Sequence, residues 1–417
     1  MRKVLISGMI GNGLEWYDFA VYAYMSLIIS HLFFPAGDAD AHLLATFGIF
    51  AVGFVARPFG GVLFGWLGDK FGRRMALVTS IFMMAIPTGC IGLLPTYAQI
   101  GITAPLLLTF LRLLQGLALG GAFSGCITFL VEHAPANRRG LIGSTTISSL
   151  VIGFLLGAVM ASLVKAPLTI EQYESWGWRI PFLLGVPIGF IGFYVRHHCD
   201  ESPVYETAKQ GGHLSKAPVR DTLLHEWRHV LQAIGIYITV TMPFYLLTAY
   251  LLTFSEKNLG LSPQDALLIN TAVMLVLFVV APLSAWLSDH IGRKKLLVTG
   301  ALAFFFGIYP IFMLLMRGDF MSILLAQSAF AVLVGLYTGP VPTLLVEMFP
   351  TRVRYTGMAV SYNIAAAVFG GTAPMACQWL ITRTGDPYAI AWYVMAAAAL
   401  SLVAIYFYRD RHKDALA

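Results

Sequence analysis

The sequence predicts an all-α polytopic membrane protein with twelve transmembrane helices, arranged as two six-helix parallel repeats. Three observations carry that prediction: an extreme composition, a regular alternation of apolar runs with short charged loops, and a loop motif that occurs twice. Of 417 residues, 58% are hydrophobic and only 12% are charged, and the mean hydropathy is +0.75. Soluble domains run at about 45–50% apolar and about 25% charged. This balance excludes a disordered chain, a secreted disulfide scaffold and a nucleic-acid binder. The net charge of +6 comes from basic clusters between apolar runs, where it sets membrane orientation rather than a phosphate-binding surface. Cys90, Cys126, Cys199 and Cys377 form neither a metal-ligand spacing nor a disulfide framework.

A spanning helix takes about 20 mostly apolar residues. Such runs occupy roughly 4–33, 43–67, 75–95, 103–131, 140–164 and 179–197. After a polar segment over 198–228, six more follow at 229–254, 266–288, 296–316, 320–346, 356–382 and 388–408. Glu15 and Asp18 interrupt the first run, which continues apolar to Phe34 and reads as an uncleaved span rather than a signal peptide. Lys70, Arg73, Arg74, Arg138, Arg139, Arg293, Lys294, Lys295, Arg352 and Arg354 cluster in the even-numbered connections, whereas the odd ones hold isolated basic residues. By the positive-inside rule the even connections and both termini are cytoplasmic. The expected organisation is a six-helix bundle over 1–197, a cytoplasmic linker over 198–228 and a second bundle over 229–417. The run Arg196-His197-His198-Cys199-Asp200-Glu201 at the start of that linker reads as solvated.

Residues 65–80 read GWLGDKFGRRMALVTS and 285–300 read AWLSDHIGRKKLLVTG, identical at eight of sixteen positions. A second echo pairs Val131, Glu132, Pro135 and Arg139 with Val346, Glu347, Pro350 and Arg354. Both fall at equivalent places in the two halves. Parallel repeats of this kind place a substrate site at the midplane between halves that rock against each other. In the loop motif, glycine permits a turn at positive φ, and Asp69 stands where it can cap a neighbouring helix or pair with arginine. Recurrence on one side makes Asp69, Arg73, Asp289 and Arg293 candidates for a gate. Glu132 with Arg139 and Glu347 with Arg354 are its expected neighbouring contacts.

The loop Gly65-x-Leu67-x-Asp69-x-x-Gly72-Arg73-Arg74 and its copy Asp289-x-x-Gly292-Arg293-Lys294 resemble the signature of the major facilitator superfamily. Four further segments resemble its metabolite:proton symporter family. They are Gly11-Asn12-Gly13-Leu14-Glu15-Trp16-Tyr17-Asp18-Phe19, Arg57-Pro58-Phe59-Gly60-Gly61, Trp176-Gly177-Trp178-Arg179-Ile180-Pro181-Phe182 and Glu347-Met348-Phe349-Pro350-Thr351-Arg352-Val353-Arg354. The resemblance covers the whole chain and implies a proton-coupled symporter for citrate, 2-oxoglutarate, another carboxylate, or proline or betaine. One departure stands out. The fourth span reads Gly120-Gly121-Ala122-Phe123, where the family usually has an acidic residue in place of Ala122.

Ionisable groups at membrane depth are costly and usually functional. Glu15, Asp18, Arg57 and Arg112 are such groups, all in the first half. At ~1.5 Å per residue, Glu15 and Arg57 each lie ~16 Å from the cytoplasmic ends of their spans. Glu15 and Asp18 share a helix face, so Arg57 could engage either one; a merely structural ion pair is the plainer alternative. Arg112, in Arg112-x-x-Gln115-Gly116, matches a superfamily motif associated with proton transfer or substrate anchoring; snorkelling to the outer interface is its alternative. The second half offers Tyr237, Tyr245, Tyr250, Gln327, Tyr337, Asn363 and Gln378, groups suited to hydrogen bonding and stacking rather than charge.

The sequence therefore predicts a bacterial inner-membrane transporter, not an enzyme, importing a small carboxylate-bearing metabolite by alternating access. Proton coupling falls to Glu15 and Asp18, and substrate binding to Arg57, Arg112, Gln115, Tyr22, Tyr245 and Asn363. Two membrane arginines favour a di- or tricarboxylate, each neutralising one group. A zwitterionic osmolyte such as proline or glycine betaine is the alternative, needing one arginine plus aromatic faces from Trp16, Tyr17, Tyr22 or Tyr245. An uncoupled facilitator would need no titrating carboxylate. No metal or cofactor is expected beyond the proton as co-substrate, and the lipid bilayer is the expected partner of a functional monomer.

Overall fold

The computed structural model describes residues 2–34 and 39–416, with side chains described for all of these except residues 2, 27, 39–48, 50 and 51. Residues 1 and 417 of the expected domain limits, and 35–38 between the first two spans, lie outside the described residues. Among the described residues the chain is helical, without strands. Ten helices are long and apolar enough to cross a membrane. The broken first helix, Arg2–Tyr24 continued by Ser26–Phe33, and the second, Ala39–Lys70, complete the twelve.

The remaining spans match the apolar runs to within a few residues at most ends: Arg73–Leu93, Thr103–Glu132, Arg139–Lys165 and Arg179–His197 in the first half. In the second half the eighth, ninth and twelfth spans are Pro263–Ile291, Arg293–Leu315 and Ala389–Tyr406. Three spans there are interrupted. The seventh passes from Trp227–Tyr245 through a π turn, Leu246–Tyr250, into Leu251–Leu259. The tenth breaks between Phe320–Thr338 and Val341–Met348, at Gly339-Pro340, because proline cannot donate the helical bond. The eleventh, Arg354–Ala365, carries a π turn over Ala366–Gly370 before Ala373–Thr384. Single π turns concentrate at functional sites in helices, and two of these flank the centre of the molecule.

Both motif glycines take the predicted backbone: Gly72 has φ +114° and Gly292 φ +101°. Large apolar side chains such as Phe59, Ile86, Phe190, Phe306 and Met375 point outward, as a lipid-facing surface requires. Within the first half the second and fourth spans pack closely, with Gly116 against the backbone of Gly53; a Cβ there would strike main chain. The halves meet along two helix pairs, the fifth span with the eighth and the second with the eleventh. The linker holds two short helices, Pro203–Gln210 and Pro218–His225, each opening on proline, whose fixed φ suits that position.

Candidate substrate site and gate

At the centre of the molecule the two halves close on a narrow cavity about 30 Å³ in free volume. Its lining includes Trp16 and Phe123 from the first half and Tyr237, Phe244, Tyr245 and Tyr362 from the second. The rings form a chain: Trp16 to Phe123 at 6.1 Å, Phe123 to Tyr362 at 5.1 Å and Tyr362 to Tyr237 at 5.1 Å between centroids. Arg57 reaches this wall from the second span. Its guanidinium donates to the Tyr245 hydroxyl at 3.1 Å and to the Tyr362 hydroxyl. It also lies over the rings of Phe54 and Tyr362, 5.3 and 5.2 Å from their centroids. The site therefore offers one fixed positive charge beside a box of aromatic faces.

The expected partnership of Arg57 with Glu15 or Asp18 is not formed. Arg57 turns to the tyrosines of the other half, and each acid finds its own partner inside the first bundle. Glu15 pairs with Arg196 at 3.3 Å, both buried. Arg196 is thus no part of a solvated linker; the last turn of the sixth span points it into the bundle. Asp18 lies 2.8 Å from the Thr88 hydroxyl of the third span. Thr88 accepts from Gln115 at 2.6 Å, and the Gln115 carbonyl accepts from Arg112 at 2.9 Å.

Arg112 is buried rather than snorkelling, with its guanidinium 4.0 Å from the centroid of Tyr22. The substrate-binding set predicted from sequence therefore divides. Arg57 and Tyr245 meet at the central cavity, whereas Arg112, Gln115 and Tyr22 belong to the Asp18 network. Asn363 does neither: its amide donates to the carbonyls of Gly120 and Ala359, at 2.5 and 2.7 Å, and fastens the eleventh span to the fourth. The Tyr17 hydroxyl donates to the Pro181 carbonyl at 2.9 Å, which fixes packing within the first bundle. Sequence reasoning missed Tyr362, Phe123, Phe244 and Thr88, because an aromatic or a threonine in an apolar run carries no mark of the face it occupies. Ala122 is fully buried next to Phe123.

The motif end of the bundle is closed by reciprocal contacts between halves. Asp69 accepts from the backbone amides of Tyr355 and Thr356 at 3.1 and 2.8 Å, at the start of the eleventh span. Asp289 accepts from the amides of Gly140 and Leu141 at 2.8 and 3.0 Å, at the start of the fifth. Arg73 pairs with Asp69 at 3.0 Å and with Glu132 at 3.2 Å, while Arg293 pairs with Asp289 at 2.7 Å and Glu347 at 3.2 Å. Glu132 also receives Arg354 at 2.7 Å across the halves. This corrects the expected pairing: Glu132 meets Arg354 rather than Arg139, and Glu347 meets Arg293. The Arg139 guanidinium donates instead to the Asp414 carbonyl at 2.7 Å, and its own carbonyl accepts from Thr343 at 2.9 Å. Behind this layer Glu201 accepts from the amides of Arg73 and Arg74 at 3.1 and 3.2 Å. Burial pushes the Glu201 carboxyl above its usual value, against the pull of the Ser202 and Arg74 amides and the Arg73 charge.

Two bundles of parallel topology around a central cavity, with mirrored charge contacts closing one end, define a multi-pass transporter of the major facilitator superfamily. The chain belongs to its sugar (and other) transporter family, whose model matches residues 4–233 and 223–410. Among relatives, it is 35% identical to a glycine betaine/proline/ectoine/pipecolic acid transporter of Dickeya dadantii, over 98% of this chain and 83% of the other. It is 34% identical to a proline/betaine transporter of Escherichia coli K12, over 97% and 82%. A putative proline/betaine transporter of Staphylococcus aureus N315 is 38% identical over 97% and 88%. In structure, a proton:xylose symporter matches with a TM-score of 0.83 at 19% identity, covering 99% of this chain and 97% of that one; this likeness is one of fold. The family and its relatives are transporters, not enzymes. The relatives also overturn the expectation of a di- or tricarboxylate substrate, because their substrates are proline and betaine. Of the two membrane arginines expected to hold carboxylates, Arg57 bonds the Tyr245 and Tyr362 hydroxyls in the wall of the central cavity, whereas Arg112 bonds Gln115 inside the first bundle.

Proposed function

We propose that the protein takes up a zwitterionic osmolyte of the proline or glycine betaine kind together with protons, by alternating access. The observation that carries this reading is the single guanidinium of Arg57 set against a cavity walled by Trp16, Phe123, Tyr237 and Tyr362. Arg57 holds the substrate carboxylate in place of the Tyr245 and Tyr362 hydroxyls, through two parallel hydrogen bonds. The aromatic faces take the ammonium, which is attracted by their ring quadrupoles. The named substrates of the relatives in Dickeya and Escherichia support the same class.

Asp18 is the proton-binding carboxyl in this cycle. Thr88 Oγ1 lies 2.8 Å from both Asp18 and the Met84 carbonyl, and it already accepts from Gln115. One hydroxyl proton cannot serve two acceptors. A proton on Asp18, donated to Thr88, satisfies all three contacts at once. Outward-facing Asp18 binds the proton, substrate binding at Arg57 lets the halves rock, and the closed motif end opens to a bacterial cytoplasm on the side of both termini. The test is uptake of radiolabelled L-proline and glycine betaine in proteoliposomes, with and without an imposed pH gradient. Accumulation of both only when the outside is acid, with no competition from citrate, is the expected result. Accumulation that ignores the pH gradient refutes coupling, and citrate competition refutes the substrate class.

A further inference from the structure

The interior of the first bundle holds a buried charge pair, Glu15 with Arg196, that this cycle has not used. Glu15 lies one turn before Asp18 on the same helix, and Arg196 Nη1 donates to it at 3.3 Å and to the Leu77 carbonyl at 2.9 Å. Leu77 is in the first turns of the third span, so the pair bridges the bundle interior to the motif end. Gly11 makes the room, since a Cβ there would collide with the guanidinium. Glu15 Oε2 and Arg196 Nε and Nη2 are buried and have no hydrogen-bond partner among the described residues. Ser80, beside Glu15, spends its hydroxyl proton on the Leu77 carbonyl at 2.9 Å. A pair retained only for packing is expected to have its remaining donors and acceptors satisfied, because a buried unpaired polar group is costly.

Glu15 and Asp18 also line one small cavity, about 10 Å³ in free volume, kept open by Gly11, Gly185 and Gly189. That is about the room one water needs. The charged or titratable groups facing Glu15 are Arg196 from the sixth span, Asp18 on its own helix, Cys126 from the fourth, and Tyr355 and Tyr362 from the eleventh. Among these described groups Asp18 is the one other carboxylate.

We propose that Glu15, positioned by Arg196, is a second proton station through which the Asp18 proton leaves toward the motif end, inside the first bundle and apart from the substrate cavity. The inference rests on the reading of Asp18 as the coupling carboxyl. In this step the Asp18 acid gives its proton to the Glu15 carboxylate through the shared cavity. One carboxylate is neutralised as the other is regenerated. Glu15 then releases the proton to water on the motif side and returns to its ionised form, held by the Arg196 guanidinium, which keeps its own protons throughout. Proton and osmolyte thus travel by separate routes through one molecule.

The test uses the full chain in proteoliposomes loaded with a pH-sensitive dye, with L-proline as substrate. Three rates are read: proline exchange, its dependence on external pH, and proline-driven proton entry. Glu15→Gln is expected to keep exchange and its external-pH dependence, both set at Asp18, while proton entry falls at least about tenfold. Arg196→Gln is expected to act in the same direction and Arg196→Lys to restore part of the loss. If Glu15→Gln fails to fold, Glu15→Gln with Arg196→Gln removes both charges together and carries the same reading. Proton entry at the wild-type rate in Glu15→Gln, or in the double variant, overturns the station while leaving Asp18 in place. Wild-type proton entry and pH dependence in Asp18→Asn overturn the coupling reading itself, and the station with it.

Discussion

The carboxylate of Asp69 accepts a hydrogen bond from the backbone amide of Thr356 at 2.8 Å, joining the second span of one half to the eleventh span of the other. Asp69 thereby caps a helix start, where the dipole favours negative charge, and its own Arg73 holds it there at 3.0 Å. Asp289 repeats the arrangement from the other half, on Gly140 and Leu141. These bonds join the two halves across the motif end, so parting the halves there would break them. A differential interaction of that kind is what shifts a conformational equilibrium.

Asp69→Asn is therefore expected to favour the state open at the motif end. Loss of a helix cap costs about 0.5–2 kcal/mol, a population shift of roughly 2–30-fold. Spin labels across the even-numbered loops should report longer distances, while proline binding persists. Unchanged distances in that variant would show that the cap does not govern the gate.

Arg57→Gln should weaken glycine betaine binding by roughly 10–150-fold, because a hydrogen bond to a charged group is worth about 1.5–3 kcal/mol. A betaine analogue with an ester in place of the carboxylate should lose far less. Isothermal titration of both ligands decides the matter, and equal losses would reduce Arg57 to a structural role.

Phe123→Leu removes one wall of the aromatic box but keeps its volume apolar. Glycine betaine should bind about 2–30-fold more weakly, from about 0.5–2 kcal/mol of cation–π attraction. Its uncharged isostere 3,3-dimethylbutyrate should be spared. Parallel losses for both ligands would place the effect in packing rather than in recognition of the cation.

Gly116→Val should prevent the second and fourth spans from closing, since the neighbour that a side chain would meet is the main chain of Gly53. Backbone cannot rotate away as a side chain does. The readout is the yield of monodisperse protein in detergent and its thermal midpoint. A midpoint at the wild-type value would show that the helices have slack at this crossing.

The Asp–Arg pairs at the motif end were legible in the sequence, because they are local and repeated. Asp69 and Arg73 are four residues apart, as are Asp289 and Arg293, and the motif recurs in both halves. The central site was only half legible. Arg57 announces itself as a charge in an apolar run, but Tyr362 and Phe123 resemble any other core aromatic. Arg196 was read as solvent-facing because it adjoins a polar segment, although the helix turns it inward onto Glu15.

By itself the sequence determined the twelve spans, the two-fold repeat and the residue types available at membrane depth. It could do so because a bilayer imposes length and hydropathy on each span separately. Only the tertiary structure decided which charge meets which. Arg57 finds Tyr245 across 188 residues and Arg196 finds Glu15 across 181, and each could have paired otherwise at no cost in local propensity. The choice belongs to the packing of helices from distant parts of the chain. That packing sets Arg57 against the tyrosines of the other half and withdraws Arg112 into the first bundle, where the hydrogen bonds of Gln115 and Thr88 link it to Asp18.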